Sequence, residues 1–259
     1  MPIKYDMLMT DKNIYEQQFA IPSYFVNSKS ELTPQQLLLM MQEVAWAHVD
    51  RHNIGWDYLY QFNMFWAITR LHVKIYRMPK WNETVRLRTW GKISEHLTHF
   101  RDHEMADENG TIIMEATSTW VILDFTTGRP QKIENMPSYL YINEHKNAIS
   151  ENAPKIKAIA FPENERVYKP VVYSDIDVNQ HVNNSKYMQF ALDAFEMDYI
   201  EEHELKEFFI NYMWQAKKGD SYAVQFQETE PHRFITSIFS QNNRELSRIE
   251  TRWEKREEK

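Results

Sequence analysis

The order strand, helix, four strands runs twice through this chain of 259 residues, and that repetition limits the folds open to it. In the first pass, 14–26 reads as a strand in which Tyr15, Phe19 and Tyr24 stand among polar residues. Thr33-Pro34 then signals a helix start with proline at the first position. Leu37, Leu38, Met41, Val44, Ala45 and His48 share one helical face, which predicts a helix running to about Arg51. β-type runs follow at 64–76, 83–90, 97–106 and 111–123, broken by turns at Lys80-Trp81-Asn82 and Glu108-Asn109-Gly110. The second pass predicts a strand at 167–173, a helix from Asn184 to about Tyr199, and strands at 208–214, 221–229, 234–240 and 246–253. Lys218-Gly219-Asp220-Ser221 occupies the place of Trp81-Asn82-Glu83-Thr84, an offset of 137, and there Val73 and Ile75 fall on Ile210 and Tyr212. Ser118-Thr119-Trp120 also finds a counterpart in Thr251-Arg252-Trp253. The gaps between strands are too short for crossover helices, so the connections are antiparallel. An internal duplication follows, each copy a helix set against an antiparallel sheet.

Between the copies, 126–160 holds Gly128, Pro130, Pro137 and Pro154 with little periodicity, which marks the joining stretch. The expected division is an N-terminal domain at 1–135, a linker at 136–160 and a C-terminal domain at 161–259. The charged tail 254–259 is expected to fray. No cysteine is present, which excludes disulfides, cysteine-ligated zinc and a thiol nucleophile. A net charge of −7 argues against general nucleic-acid binding, and any acidic partner must then meet a local basic patch. The opening Met1-Pro2-Ile3-Lys4-Tyr5-Asp6 lacks an apolar leader and no run approaches membrane-spanning length, so a cytoplasmic protein is expected.

The two copies differ where the second helix begins. The stretch from Tyr173 to Asn184 holds two aspartates, three asparagines, a glutamine and a histidine, directly before the helix. Asp177, Asn179 and His181 alternate, so an extended backbone would send all three to one side. One Asx residue in a loop is ordinarily a turn former. Three polar residues at period two, ending in the only imidazole of the stretch, favour a site. Asn183 or Asn184 is a good N-cap, and backbone N–H groups near Val182 and Asn183 are candidate oxyanion donors. A metal is not expected, because the set lacks a second nearby histidine and is rich in amides. His48 and His52 stand four apart on the first helix, where a packing role is favoured over a ligating one.

The run Asp175-Ile176-Asp177-Val178-Asn179-Gln180-His181-Val182-Asn183-Asn184, followed by Lys186-Tyr187, resembles the signature of the acyl-ACP thioesterases. These enzymes release fatty acids from acyl carrier protein. Residues 70–90, Arg-Leu-His-Val-Lys-Ile-Tyr-Arg-Met-Pro-Lys-Trp-Asn-Glu-Thr-Val-Arg-Leu-Arg-Thr-Trp, also resemble the first half of that family, less specifically. The resemblance implies an α+β fold of two tandem hotdog domains, each a long helix wrapped by an antiparallel sheet. It also implies a catalytic second domain and a first domain that holds the acyl chain. Met40, Met41, Trp46, Trp56, Met64 and Trp66 would suit such a pocket, although core packing explains them equally well.

Thioester hydrolysis needs an activated water or nucleophile and a place for negative charge on the carbonyl oxygen. His181 can take a proton near neutral pH. The N–H groups of Val182 and Asn183 would stabilise the oxyanion. Asn179 would hold the water or the carbonyl, and Asp177 would orient Asn179 or His181. The family's plant members carry a glutamate on the strand after the catalytic helix, and here Gln215 stands at that position. A glutamine can position a water but cannot act as a base. No cofactor is expected. The partner implied is an acyl carrier protein bearing a phosphopantetheine-linked acyl chain, with Lys217 and Lys218 as its docking residues and a homodimer left open. Two other readings remain at this point: an acyl-CoA thioesterase, and a non-catalytic acyl-binding hotdog protein.

Overall fold

The computed structural model describes residues 13–92, 94–132, 142–143 and 145–257. The charged end beyond 257 and the chain's opening residues lie outside them. The chain divides into two compact units, Met1–Ala153 and Pro154–Lys259.

In the first unit Thr33 caps helix α1 (Pro34–Arg51), its Oγ1 accepting the Gln36 N–H at 3.3 Å. Pro34 takes the first helical position, where its missing N–H removes no helical bond. Leu37, Leu38, Met41, Val44, Ala45 and His48 are buried along one stripe, the face that their spacing predicts. Each large apolar side chain so buried contributes about 1.5–3 kcal/mol. The stripe packs on a sheet of five antiparallel strands: β1 (Tyr15–Ala20), β2 (Met64–Ile75), β3 (Thr84–Gly91), β4 (His99–Asp107) and β5 (Ile112–Asp124). Their spatial order is β1-β3-β4-β5-β2. A short helix, α2 (Trp56–Gln61), precedes β2 and packs on it.

The first unit has a second cover that periodicity does not reveal. Ala148 donates its N–H to the buried Asp102 carboxylate at 2.8 Å. Lys92 reaches the same carboxylate at 3.4 Å and the Ile149 carbonyl at 3.0 Å. Trp90 Nε1 donates to the Lys146 carbonyl at 2.9 Å. Burial pushes the Asp102 carboxyl upward and Lys92 opposes that shift. Residues 142–153 therefore belong to the first unit rather than to a free linker, as far as they are described.

The second unit repeats the plan: β6 (Lys169–Pro170), α3 (Asn184–Leu192), α4 (Met197–Glu202), β7 (His203–Tyr212), β8 (Ser221–Glu230), β9 (Arg233–Ser240) and β10 (Glu245–Lys255). Its order is β6-β8-β9-β10-β7, strand for strand that of the first unit. Tyr187, Met188, Phe190 and Ala191 of α3 are buried against it, and Phe190 stacks on Tyr222 at 4.0 Å. Residues 154–159 pack on this unit. Ile156 and Ile159 meet Phe209 and Ile235, while the Asn211 side chain bonds the Ile156 N–H at 2.9 Å and the Pro154 carbonyl at 3.0 Å.

Five expectations need correction here. The predicted strand at 14–26 stops at Ala20, because the chain turns into a 3-10 turn at Ser23–Phe25, and the one predicted at 208–214 begins at His203, directly after α4, and ends at Tyr212. The predicted strand at 167–173 shrinks to two residues, because the chain turns into a 3-10 turn at Tyr173–Asp175. The predicted helix to Tyr199 ends at Leu192 and restarts at Met197, because Glu196 is extended. There Phe195 leaves the helical line to pack among Tyr199, Phe226, Phe234 and Trp253. The charged tail does not fray from Glu254: β10 runs on to Lys255.

Candidate active site

The polar stretch before α3 is a closed turn, not an extended strand. Asp177 N–H bonds the His181 carbonyl at 2.9 Å and Gln180 N–H bonds the Asp177 carbonyl at 3.0 Å. Gln180 takes φ +64°, the left-handed conformation that lets the chain reverse within four residues. Asp177 Oδ1 accepts the Asn179 N–H at 2.8 Å and braces the turn from inside. Ile176 and Val182 bridge across its base. Asp177, Asn179 and His181 therefore do not leave one side of an extended strand, since the backbone reverses between the first and the last.

The proposed oxyanion donors are also spent. Val182 N–H donates to the Ala216 carbonyl at 2.8 Å, and Asn183 N–H to the Asp175 carbonyl at 2.8 Å. What these bonds do is fix the turn. Asn183 caps α3 by accepting the Ser185 N–H at 2.9 Å, so the turn passes directly into the helix. Asp175 sits buried behind it, accepting the Val172 N–H at 2.9 Å and facing Lys186 Nζ at 3.7 Å.

His181 emerges opposite Lys217, its partner in an antiparallel bridge. It is half-buried, and its Nδ1 is buried and bonded to no described residue. Asp177 thus acts on the Asn179 backbone, with no bond to the imidazole among the described residues. Asp177 and Asn179 are half-buried. Gln215, expected on a strand, lies exposed in the connection after β7, which ends at Tyr212. Lys217 and Lys218 are exposed, and the Lys217 N–H is held by Asp220 Oδ2 at 2.9 Å.

One residue of the site escaped the sequence argument. Tyr187 Oη accepts the Ala216 N–H at 3.1 Å, while the Ala216 carbonyl takes the Val182 N–H. Ala216 is thereby gripped from the helix and from the turn, which sets Gln215 and Lys217 on either side of it. Burial pushes the Tyr187 phenol up to about 12, so it stays a neutral hydroxyl. Helical side chains lean toward the N-terminus, and a tyrosine one turn past the cap was the available signal.

The same turn closes in the first unit. Asn27 N–H bonds the Glu31 carbonyl at 2.8 Å, Ser30 N–H bonds the Asn27 carbonyl at 2.9 Å, and Ser30 takes φ +61°. Leu32 N–H bonds the Pro79 carbonyl and Glu31 bridges Lys80, as Val182 does Ala216 and His181 does Lys217. The backbone is duplicated and the chemistry is not: Asn27, Lys29 and Glu31 stand where Asp177, Asn179 and His181 do. Among the described residues no group of three or more His, Asp or Glu side chains is placed to hold a metal.

Comparison with known proteins agrees with this layout. Residues 12–138 match the acyl-ACP thioesterase N-terminal domain and residues 161–255 its C-terminal domain. The oleoyl-acyl carrier protein thioesterase 2 of Arabidopsis thaliana, chloroplastic, is 24% identical over 98% of this chain and 80% of its own length. The chloroplastic palmitoyl-acyl carrier protein thioesterase of Gossypium hirsutum is 27% identical over 82% of this chain, which spans just 54% of that protein. Among solved structures, an acyl-ACP thioesterase from Bacteroides thetaiotaomicron superposes with a TM-score of 0.85 at 23% identity, covering 95% of this chain and all of its own. The 12:0-ACP thioesterase from Umbellularia californica gives 0.81 at 21% identity, covering 96% of this chain and all of its own. Two matched domains in order, spanning most of the residues, make this chain a member of the acyl-ACP thioesterase family.

Proposed function

We propose that the chain hydrolyses the thioester of fatty acyl-acyl carrier protein to free fatty acid and the carrier's thiol, a step of fatty acid biosynthesis. The observation that carries this reading is a half-buried imidazole with an unengaged Nδ1, set in a rigid turn found in both units but armed in only one. Water adds to the thioester carbonyl as His181 takes its proton. The C–S bond then breaks and the thiolate leaves with that proton. Asn179 positions the water or the carbonyl, and Asp177 keeps Asn179 in place through the turn. The second unit carries the chemistry and the first receives the acyl chain. Met40, Met41 and Met64 are buried there and Trp66 is half-buried, whereas Trp46 is 44% exposed and contributes little.

The test is release of free acid from a panel of acyl-ACPs and the matching acyl-CoAs. Turnover of acyl-ACP well above that of acyl-CoA is the expected result. Preference for the CoA esters would move the chain to the acyl-CoA reading, and binding without turnover would make it an acyl-binding protein.

Gln215 lies one residue from the gripped Ala216 and is expected to assist by hydrogen bonding. Gln215→Glu should keep part of the activity with a shifted pH–rate profile. Unchanged rate and profile in both Gln215→Glu and Gln215→Ala would make it a bystander.

Lys217 and Lys218 are exposed and Lys217 bridges His181, so positive charge beside the imidazole would steer an acidic carrier protein toward it. A second basic cluster, Arg70, Lys74, Arg77 and Lys80 in the first unit, is less available: Arg77 is engaged by Glu83 at 2.5 Å and Asp107 at 3.1 Å. Replacing both lysines by glutamate should raise KM for acyl-ACP, as should added salt, and leave a short uncharged thioester nearly unaffected. Equal losses on both substrates would remove the docking role.

A further inference from the structure

Beneath α1 the first unit encloses polar groups that its apolar core does not explain. Arg101 Nη1 stands 3.0 Å from His48 Nδ1 and donates to Thr89 Oγ1 at 3.0 Å. A guanidinium only donates, so His48 Nδ1 accepts and a neutral His48 carries its proton on Nε2. That N–H is buried and meets no acceptor among the described residues. His48 itself is 3% exposed, so the lack of a partner has a cost. Burial, reinforced by Arg101, His52, Arg51 and His103, holds His48 down at about 2, so it does not supply charge. Arg101 does: burial draws it to about 10, still protonated at neutral pH. It is half-buried, and among the described residues no carboxylate pairs with it.

An apolar surface adjoins this cation. His99 lies on the same face of β4 as Arg101, and the Trp66 ring meets it edge to face at 4.8 Å. Trp66 in turn packs on Leu59, Met64 and Ile122 with Tyr58. His103 Nε2 donates to the Met41 carbonyl at 3.3 Å, which leaves a buried acceptor at Nδ1 suited to a bridging water. A lone guanidinium, a buried imidazole N–H without an acceptor and a neighbouring apolar wall define the complement: an anionic oxygen at the end of a hydrocarbon chain.

We propose that the first unit binds a carboxylate carried on an apolar chain. Its oxygens take the free guanidinium N–H groups of Arg101 and the Nε2–H of His48. The chain runs past Trp66 toward Leu59, Met64 and Ile122. The assignment stands on the first unit alone, and only the identification of its source rests on the thioester hydrolysis proposed above. Two sources share this chemistry: a free fatty acid, and a substrate chain whose far end bears a second carboxylate.

The test titrates the full chain with decanoate and, separately, 1-decanol at about pH 7.5, where the acid is ionised. Decanoate should bind at least about tenfold more tightly, the difference made by a charged hydrogen bond. Arg101→Met should abolish that preference, and His181→Ala should keep it. Equal affinities in the unaltered protein, or a preference that survives Arg101→Met, overturns the proposal. If Arg101→Met does not fold, the comparison of the two ligands in the unaltered protein decides alone, because they share one tail. The source is read from turnover. Decanoate inhibition of decanoyl-thioester hydrolysis that Arg101→Met relieves identifies the free acid. A loss confined to the decanedioyl monothioester identifies the chain end.

Discussion

Replacing His181 with alanine is expected to lower thioester turnover by at least about a hundredfold, the scale for losing a general base, with thermal unfolding left close to that of the unaltered protein. The two halves of this expectation have separate grounds. The turn carries a single imidazole, and its Nδ1 has no partner among the described residues. The turn, in contrast, is closed by the Asp177, Gln180, Val182 and Asn183 N–H groups, none of which bonds the ring. The first unit makes the matching backbone bonds with Glu31 in the histidine's place. Folded His181→Ala protein with near-normal turnover would end the assignment.

Acid should unfold the chain steeply, and the cause lies in the first unit. Unfolded, an imidazole titrates near its ordinary value of about 6.5. Folded, burial holds His48 at about 2, His103 at about 3 and His99 at about 4, with Arg101 reinforcing the first two. Above the ordinary value neither state binds these protons, and the folded state keeps its full stability. As the pH falls below it, the unfolded chain takes up protons that the fold refuses. Three such groups remove about 4 kcal/mol for each pH unit of acidification. The loss continues until the pH falls through the folded values. A typical domain holds roughly 5–15 kcal/mol, so cooperative unfolding is expected within about two or three units below neutrality. Urea midpoints measured between about pH 7 and pH 5 should drop sharply. A midpoint that stays level across that interval would show that these imidazoles are not held neutral.

Much of the fold was legible because its signals are periodic. The stripe from Leu37 to His48 and the runs behind β2, β3, β5, β8 and β9 lie within a residue or two of the observed elements. Residues 142–159 were not legible, because that stretch is held by single bonds, Ala148 to Asp102 and Ile156 to Asn211, which leave no repeating pattern. At the site, residue identities were readable and backbone geometry was not. Asp177, Asn179 and His181 share a period of two in sequence, but a left-handed Gln180 converts that run into a reversal. Period carries no information about φ where the residue is not glycine. The oxyanion donors failed for a related reason: whether Val182 and Asn183 keep free N–H groups depends on Ala216 and Asp175, one of them distant in sequence.

The turn that occurs twice separates frame from function. Asn27 to Leu32 keeps the hydrogen bonds, the left-handed residue and the facing lysine of its counterpart, while carrying none of the three side chains proposed to act there. Shape therefore rests on main-chain groups braced by one side chain, Asp177 in one unit and Asn27 in the other, while the proposed reactivity needs an imidazole that only the second turn carries. The frame repeated without that imidazole is a socket that keeps its shape. Its Asn27 still braces the turn, Oδ1 accepting the Lys29 and Glu31 N–H groups at 2.9 and 3.0 Å.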